Sequence, residues 1–404
     1  MQNGGNRFPF PFLTVLLIFL TMLPVTMIVP VFKDLIKDRL GGSNLMVSYF
    51  MSIAMLGSFL FSPVAGYLSD RLGSRRWFIG IFAILDGLLF FAIPSAENLE
   101  FLQLIRFFEG VAHIFVIGLL LALIADREND PENTRFFQKG ILLGVGGMLL
   151  SLGVGIGSPL GILGKKNPLL PFYVAGGIMI FIGLLALIFL RDYEYHYSKK
   201  FSLAAWLKAF HSNPLISIPY LYNFIDRFTV GFFVTSFSLH MREGLGLNPG
   251  QVGLLMALVL IPMSLLSYPF ARLSGKTGPF ALMAIGSILY GGSMGIAGFF
   301  QEMRFLVPSL LLAGVGAGVM FVPSMILASK LSPREYNASN MAVFTGAGSI
   351  GFMLGPIASV LIERALQENI PGSNFGILSM IFGSLEILIV ISTLPFYNKL
   401  RKSI

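Results

Sequence analysis

The chain has 404 residues, of which 55% are hydrophobic and only 12% are charged, and its formal net charge is +8 at pH 7. A soluble surface needs roughly a quarter of charged residues, so this composition excludes a soluble enzyme or binding module. The chain contains no cysteine, which excludes disulfides and thiolate metal sites.

Apolar windows long enough to cross a bilayer predict twelve membrane helices. They cover residues 10–32, 45–67, 77–94, 101–125, 137–160, 170–190, 214–240, 251–270, 280–300, 305–330, 338–362 and 375–396. The first run is too long for a cleavable signal peptide and no small-residue cleavage site follows it, so we interpret it as the first span. The sequence therefore predicts an all-α membrane protein with twelve transmembrane helices in two six-helix halves.

A polar segment separates the sixth span from the seventh. It divides the chain into an N-terminal half at residues 1–190, a linker at 191–213 and a C-terminal half at 214–404. Apolar side chains recur at helical spacing within residues 201–210, which favours an amphipathic helix on the membrane surface over a soluble partner-binding element. We expect this linker to be cytoplasmic.

The segment between helices two and three, residues 66–76, reads GYLSDRLGSRR and is dense in basic residues. Basic loops stay on the cytoplasmic side of a bilayer. With both termini placed there, 18 of the 28 Lys and Arg residues fall on the cytoplasmic side, 8 fall outside and 2 lie within helices. The positive charge therefore indicates topology and not nucleic-acid binding. We expect a bacterial inner-membrane protein with both termini cytoplasmic.

The same segment resembles the G-x-L-x-D-R-x-G-R-R loop of the major facilitator superfamily of transporters. Residues 271–278, ARLSGKTG, repeat the pattern after helix eight without the carboxylate. Equivalent motifs about 200 residues apart are typical of two parallel six-helix halves. The resemblance implies a monomer in which helices one, four, seven and ten line a central cavity. It also implies gating residues in the loop, namely Gly66, Asp70, Arg71, Gly73 and Arg75.

Helix five carries Gly153-x-x-x-Gly157, which resembles the antiporter signature of that family, and Gly351-x-x-x-Gly355 parallels it in helix eleven. The motif departs from the signature because Ser158 stands at the proline position, the proline comes one residue late, and an isoleucine replaces the last glycine. Two interpretations therefore stay open, a drug-antiporter signature and small-residue helix packing alone.

Helix four contains LIRFFEG at residues 104–110, which resembles the family motif R-x-x-Q-G with Glu109 where glutamine is commoner. Arg106, Glu109, Gly110 and His113 share one helix face. An Arg–Glu pair at this spacing lowers the cost of both charges in a low dielectric, which favours a place beside the cavity. The alternative is that Arg106, about 8 Å from the outer helix end, snorkels to the surface.

Asp226 and Arg227 lie about 18 Å into helix seven, near the bilayer centre. An ionisable group at this depth is by default a functional hypothesis, and a structural ion pair is the alternative. Adjacent residues diverge by about 100° around a helix, so we expect only one of the two to face the cavity. One stripe contains Tyr222, Asp226, Thr229 and Phe233, and the next contains Asn223, Arg227 and Val230.

Asp86 in helix three and Glu386 in helix twelve are also deep, but those helices are peripheral in the fold that the chain resembles. We therefore rank both below Asp226 as proton sites. Asp226 is expected to be the main proton-binding carboxylate, with Arg106 and Glu109 setting the charge balance across the cavity. Nothing in the sequence resembles a metal cluster, a nucleophile triad or a phosphate-cradling loop, so no cofactor and no enzyme activity are expected.

The cavity helices offer methionine and aromatic side chains with few fixed polar groups, which suits lipophilic molecules better than sugars. The predicted substrate-cavity residues are Met22, Tyr222, Asn223, Phe233 and Phe321. We expect a secondary transporter that exports a small lipophilic molecule by proton antiport, with the substrate, protons and lipid bilayer as partners. The alternatives are a lipid-moving or nutrient-uptake member of the same superfamily and, less favoured, a non-transporting receptor or scaffold.

Overall fold

The computed structural model describes residues 10–129, 141–190, 207–208, 210–211, 213–332, 337–370 and 374–402. All regular secondary structure within these ranges is helical. Most of the amphipathic helix that we predicted for residues 201–210 lies outside the described residues.

Twelve long helices follow one another in the described part of the chain. They are α1 Phe10–Met27, α2 Asn44–Leu72, α3 Arg75–Ala92, α4 Leu99–Asn129, α5 Ile141–Gly157, α6 Leu170–Phe189, α7 Ser217–Phe232, α8 Pro249–Thr277, α9 Pro279–Ala297, α10 Met303–Leu331, α11 Asn337–Asn369 and α12 Phe375–Thr393. Eleven helices among the described residues are long and apolar enough to cross a membrane, and α7 is not among those eleven. The all-α, twelve-helix prediction is confirmed.

The predicted loop between helices two and three is largely helical. Helix α2 continues to Leu72, so Asp70 lies in its last turn, and α3 begins at Arg75. Gly73 closes α2 with a φ of 64°, a left-handed conformation that glycine adopts without strain. Charged side chains at a helix end reach water from the helical backbone, so their charge density does not require a loop.

Helical segments continue beyond α1 and α7, and the sequence predicted the second continuation as part of helix seven as far as residue 240. Beyond α1 the chain forms a short 3₁₀ turn and a π-helical segment at Lys33–Arg39, which we had assigned to an outer loop. Beyond α7 it forms a second π-helical segment at Phe233–Phe237 and a helix at Ser238–Glu243. We call these two extensions the α1 arm, Lys33–Arg39, and the α7 arm, Ser238–Glu243. Hydropathy did not predict the α1 arm because it is charged.

The glycine motifs of helices five and eleven pack closely against other helices. A Cβ at Gly153 or Gly157 would overlap backbone oxygens of α1, and a Cβ at Gly351 or Gly355 would overlap those of α7. Helices without a hydrophobic driving force between them associate where small residues let the backbones approach. The α1–α5 and α7–α11 contacts therefore repeat, and the motif in helix five takes part in small-residue packing.

A second helix pair repeats in the same way. Gly87 in α3 and Gly176 in α6 each face the carbonyl of the other, and Gly291 in α9 and Gly383 in α12 do the same. Space for a Cβ is absent at all four positions. Each six-helix half is therefore built from the same close contacts between equivalent helices.

The two halves also contact each other along their length. Ser52 in α2 donates a hydrogen bond of 2.6 Å to the carbonyl of Met353 in α11. Ser264 in α8 donates one of 2.9 Å to the carbonyl of Met148 in α5. We call the end of the bundle that carries the Asp70–Arg75 turn the basic end, and the end that carries the two arms the opposite end.

Candidate functional site

Arg106 in α4 is held inside the N-terminal half. Its Nη1 lies 2.6 Å from Oε2 of Glu109, and its Nε donates a 3.2 Å hydrogen bond to the carbonyl of Phe50 in α2. The guanidinium carbon lies 4.4 Å from the centre of the Phe50 ring. Both charged side chains are buried. Arg106 therefore has an internal ion pair and a cation–π contact, and it does not snorkel to the surface.

Asp86 and His113 form a second buried pair beside the first. Asp86 Oδ2 lies 2.9 Å from His113 Nδ1, which connects α3 to α4. Within the described residues, Asp86 Oδ1 and His113 Nε2 have no hydrogen-bond partner. We call Asp86, Arg106, Glu109 and His113 the N-terminal ion cluster. Sequence reasoning ranked Asp86 low because helix three is peripheral, but its carboxylate points inward to α4.

Three members of the N-terminal ion cluster have the chemistry of metal ligands. Asp86, Glu109 and His113 each offer one ligand atom, and these atoms lie within 4.8 Å of one another. Carboxylate and imidazole ligands suit a divalent transition metal. The fixed positive charge of Arg106, bonded to Glu109, opposes a divalent ion at the same place. The donor set therefore fits a proton better than a metal.

The side chains of Asp226 and Arg227 in α7 approach each other, although side chains of adjacent residues diverge by about 100° around a helix. Arg227 Nε is 3.7 Å from Asp226 Oδ2, because the long arginine side chain reaches back around the helix. Asp226 is buried, whereas the Arg227 side chain is 24% exposed and its guanidinium carbon lies 4.4 Å from the Phe321 ring in α10. Arg227 therefore connects the buried carboxylate to a neighbouring cavity helix.

Glu386 in α12 lies inside the same half and is fully buried. Among the described residues neither of its carboxylate oxygens has a partner at hydrogen-bond geometry, although the hydroxyls of Ser287 and Thr229 lie beside it. Glu386 and Asp226 are close enough to repel each other electrostatically, and both act on the Tyr290 hydroxyl. We call Asp226, Arg227, Glu386 and Tyr290 the C-terminal ion cluster.

Close packing explains why Glu386 lies inside. A Cβ at Gly291 would collide with the Cβ of Glu386, so the glycine contact between α9 and α12 makes room for this side chain. Sequence reasoning placed Glu386 on a peripheral helix and missed its proximity to Asp226. The glycines at positions 291 and 383 were the available signal, since small residues mark the face on which two helices meet.

Two of the predicted substrate-cavity residues bond within the C-terminal half. The Tyr222 hydroxyl lies 2.8 Å from Thr393 Oγ1 in α12. Asn223 Nδ2 donates a 2.7 Å hydrogen bond to the carbonyl of Phe344 in α11. The stripe of Tyr222 and Asp226 therefore faces α9 and α12, and the stripe of Asn223 faces α11.

The other three predicted cavity residues have different surroundings. Phe233 is fully buried, with its ring centre 5.6 Å from that of Phe237. Met22 is partly buried and packs toward Gly153 in α5. Phe321 is partly buried beneath the Arg227 guanidinium. Phe321 is thus the predicted cavity residue that the structure brings to an ionised group.

At the basic end, two of the predicted gating residues pair with each other. Asp70 Oδ1 lies 3.5 Å from Nη2 of Arg75 across the two-residue turn, and Asp70 is 39% exposed while Arg75 is buried. Arg71 is exposed, and the space around a Cβ at Gly66 or Gly73 is open. The acid and the buried arginine therefore form an ion pair across the turn between α2 and α3.

The start of α11 also lies at the basic end, and Asn340 bonds it to helices of its own half. The side-chain oxygen of Asn340 accepts a hydrogen bond from the Tyr220 hydroxyl, and its nitrogen donates one of 2.7 Å to the carbonyl of Ala328. The N-terminal part of α11 is therefore bonded to α7 and α10.

A second gate candidate, at the opposite end, was not anticipated from the sequence. Asp34 in the α1 arm lies 2.5 Å from Arg242 in the α7 arm, and Lys37 lies 2.6 Å from Glu243. Each arm supplies one acid and one base to the other. The signal in the sequence was the presence of opposite charges just beyond two equivalent helices, which we had counted only as loop charges.

Comparison with known proteins agrees with this architecture. Residues 14–225 and 219–395 match the sequence model of the Major Facilitator Superfamily. An uncharacterized MFS-type transporter of Methanocaldococcus jannaschii is 26% identical over 362 residues, which are 84% of this chain and 87% of that protein.

Two further relatives are named as drug-resistance proteins. The quinolone resistance protein NorA of Staphylococcus aureus is 24% identical over 239 residues, or 59% of this chain and 60% of NorA. Multidrug resistance protein 1 of Bacillus subtilis is 24% identical over 257 residues, or 60% of this chain and 62% of that protein.

Solved structures share the fold at low sequence identity. A mutant of the nucleoside transporter NupG superposes with a TM-score of 0.78 and 13% identity, covering 96% of this chain and 100% of that one. The human organic anion transporter MFSD10 gives a TM-score of 0.69 and 17% identity, covering 95% and 99%. The chain therefore belongs to the major facilitator superfamily, as a multi-pass membrane transporter of small molecules and not an enzyme.

Proposed function

We propose that this protein exports small lipophilic molecules by alternating access, in exchange for protons. The names of two relatives, a quinolone resistance protein and a multidrug resistance protein, support export of such compounds. The aromatic and methionine side chains of the cavity helices support a lipophilic substrate. Each relative aligns over about three fifths of its length.

The observation that carries the proposal is the C-terminal ion cluster. Ionisable groups inside a membrane span are costly and mark ion or proton pathways. Asp226 and Glu386 bring two carboxylates together with one arginine, Arg227, in a buried site. Burial and mutual repulsion disfavour ionisation of both carboxylates at once, so in our proposal the pair binds one proton. The cluster is therefore neutral with one proton bound.

Asp226 is the main coupling carboxylate in this proposal. It is the acid that contacts Arg227, and Arg227 is partly exposed and stacks on Phe321. A substrate that displaces the guanidinium from Asp226 would change the affinity of that carboxylate for a proton. Glu386 takes the second place, since both of its oxygens are buried. Arg106 and Glu109 belong to a separate cluster, so their influence on Asp226 across the cavity is long-range.

Alternating access needs a gate at each end of the bundle. In our proposal the Asp70–Arg75 pair belongs to the gate at the basic end, and the paired arms form the gate at the opposite end. The two six-helix halves, residues 1–190 and 214–404, then move against each other as a monomer. The linker at 191–213 joins them in the cytoplasm, where both termini also lie.

A transport assay in proteoliposomes tests this function. Purified protein is reconstituted, a pH gradient is imposed, and movement of a fluorescent quinolone is followed with and without a protonophore. We expect uphill movement of the quinolone against the inward flow of protons, and its loss when the gradient collapses. Transport that ignores the pH gradient would contradict proton antiport. Uphill movement of a nucleoside or lipid probe in place of the quinolone would favour the uptake or lipid-moving alternatives.

A further inference from the structure

We propose that the N-terminal ion cluster binds a second exchangeable proton, at the Asp86–His113 pair, so that two protons cross for each substrate molecule. This inference rests on the proposed proton antiport and adds a binding site in the half of the protein that lacks Asp226. The site involves α3 and α4, and its residues lie far from Asp226 in sequence.

The two carboxylates of the N-terminal ion cluster, Glu109 and Asp86, have different partners. Glu109 is neutralised by Arg106 at 2.6 Å, whereas Asp86 contacts only the imidazole of His113 at 2.9 Å among the described side chains. With a neutral imidazole, the cluster would hold two negative charges and one positive charge in the interior. A buried charge without a counter-charge is strongly unfavourable. One proton on the Asp86–His113 pair removes the imbalance.

Atoms that could carry this proton are already in place. Asp86 Oδ1 and His113 Nε2 are buried, and neither has a partner among the described residues. The Asp86 side chain is inaccessible to solvent, while the His113 side chain is 10% exposed. The imidazole therefore lies nearer to water than the carboxylate does, and a proton bound by the pair can be shared along the 2.9 Å hydrogen bond.

The surrounding helices supply no further charge at this depth. The helices that pack against α3 and α4 are α1, α2, α5 and α6. Within their described ranges α1 and α5 have no titratable residue, and α6 has only Tyr173. Helix α2 has Tyr49 and Tyr67, with its charged residues confined to its last turn. The protonation of the pair therefore depends first on its burial and on its own hydrogen bond, and Arg106 and Glu109 are the charged groups that lie beside it.

The two ion clusters have the same charge count. Each contains two carboxylates and one arginine, and each lies within one half of the protein. Neither cluster needs the other half to be complete, so each keeps its internal contacts when the halves move. A proton bound on one side of the membrane can thus remain bound during the movement and leave on the other side.

The second proton is tested by measuring the pH gradient at which net flux of the substrate stops and reverses. Proteoliposomes are loaded with the quinolone at known ratios, and the pH gradient that stops net flux is found for each ratio. Each coupled proton supports about a tenfold substrate gradient per pH unit. We expect the parent to balance about a hundredfold gradient per pH unit, and Asp86→Asn to balance about tenfold. Equal stoichiometry in the two proteins would overturn the inference.

A second variant and a control keep the test independent of folding. His113→Gln removes the titrating imidazole and should give the same one-proton stoichiometry as Asp86→Asn. Ser58→Ala removes a 2.7 Å hydrogen bond to the Gly110 carbonyl in the same α2–α4 contact and should keep the parental stoichiometry. If Ser58→Ala changes the stoichiometry as much as the two ion-cluster variants do, general perturbation of α4 is the cause and the inference fails.

The outcomes also separate this inference from the proposed function. If the parent shows no transport driven by a pH gradient, the proposed antiport is wrong. If the parent is proton-driven but Asp86→Asn and His113→Gln balance the same gradient as the parent, only the second site is wrong. Transport that needs added Zn²⁺ or Mn²⁺ and is lost with a chelator would assign the cluster to a metal and overturn the proton assignment.

Discussion

Asp34 and Arg242 lie 208 positions apart in sequence and 2.5 Å apart in space, and they join the two halves of the transporter at the opposite end. Beside them Lys37 pairs with Glu243 at 2.6 Å. The α1 and α7 arms therefore cross-pair their charges. Because α1 and α7 are equivalent helices of the two halves, separation of the halves at this end must break both pairs together.

Asp34→Asn should weaken closure of the opposite end. Conformational couplings are typically worth 1–3 kcal/mol, so we expect the open population to rise about 5- to 150-fold. The chain has no cysteine, so a cysteine placed at Met22 is the single label site. The rate at which a membrane-impermeant maleimide labels this cysteine from the opposite side measures the open population.

Asp38→Asn is the matched control for that substitution. Asp38 lies in the same arm, is 50% exposed and pairs with Lys33 at 2.7 Å within its own segment. Exposed pairs of this kind contribute little, and this one does not connect the halves. Its labelling rate should equal that of the parent. An equal rate in Asp34→Asn as well would show that the crossed pairs do not hold the gate.

Asp226→Asn should lower the accumulation driven by a pH gradient to what one coupled proton supports, and leave energy-independent exchange of substrate. The amide keeps the size of the side chain but cannot release a proton, so the C-terminal ion cluster no longer contributes to coupling while the cavity remains. Counterflow of labelled quinolone measures the exchange, and uptake under an imposed gradient measures the coupling. Uphill transport at the parental rate and pH dependence would remove Asp226 from the mechanism and make Glu386, the second carboxylate of the C-terminal ion cluster, the next candidate.

Glu386→Gln should move the pH midpoint of transport, because it removes the second buried carboxylate of the C-terminal ion cluster. A merely peripheral acid would leave this midpoint unchanged. The pH profile of gradient-driven uptake distinguishes the two cases. We expect a smaller loss of maximal rate than in Asp226→Asn, since Asp226 still contacts Arg227.

Asp70→Asn should favour the state that is open at the basic end and slow transport while leaving folding intact. An ion pair with an exposed partner contributes about 0.2–1 kcal/mol, and the Asp70–Arg75 pair holds the turn between α2 and α3 against which the C-terminal half closes in our proposal. We therefore expect a shift of about two- to fivefold in the labelling of cysteines placed on the basic side. Identical labelling in mutant and parent would exclude Asp70 from the gate.

Gly291→Ala should destabilise the protein, whereas Gly292→Ala should not. A Cβ at position 291 meets the Gly383 carbonyl and the Glu386 side chain, and a Cβ at 292 meets nothing within 4 Å. Overpacking of a tight contact typically costs 1–3 kcal/mol. Thermal unfolding in detergent measures both variants. A fall in the midpoint for Gly292→Ala that matches the fall for Gly291→Ala would show that the α9–α12 contact is not responsible.

Hydropathy predicted the twelve helices because a membrane span needs a long run of mainly apolar residues. Such a run can be read directly from the sequence. It did not predict the α1 arm or its pairing with the α7 arm, since the charges of Lys33–Arg39 lie on a helix that pairs with another helix and not in a loop. The pairing depends on which helix ends meet in space. That information is absent from a hydropathy profile.

The sequence indicates how deep each buried charge lies in the membrane, but it does not indicate the direction in which the side chain points. Arg106 and Glu109 were expected on one face of α4, and the structure pairs them at 2.6 Å. Asp86 and Glu386 were ranked low because their helices are peripheral in this fold. Their side chains nevertheless point inward, and the direction of a side chain depends on the rotation of its helix, which glycine contacts between helices determine.

The polarity of α7 has a consequence for how the protein is made. Each charged residue at the centre of a span opposes membrane insertion by about 2.5–3.5 kcal/mol, and α7 carries Asp226 and Arg227 there. We expect α7 to insert stably only after α11 and α12 have been synthesised, because those helices bond Asn223 and Tyr222. Ribosome-bound chains that end before α11 should therefore leave α7 outside the bilayer, and biogenesis of the C-terminal half depends on the last helices to leave the ribosome.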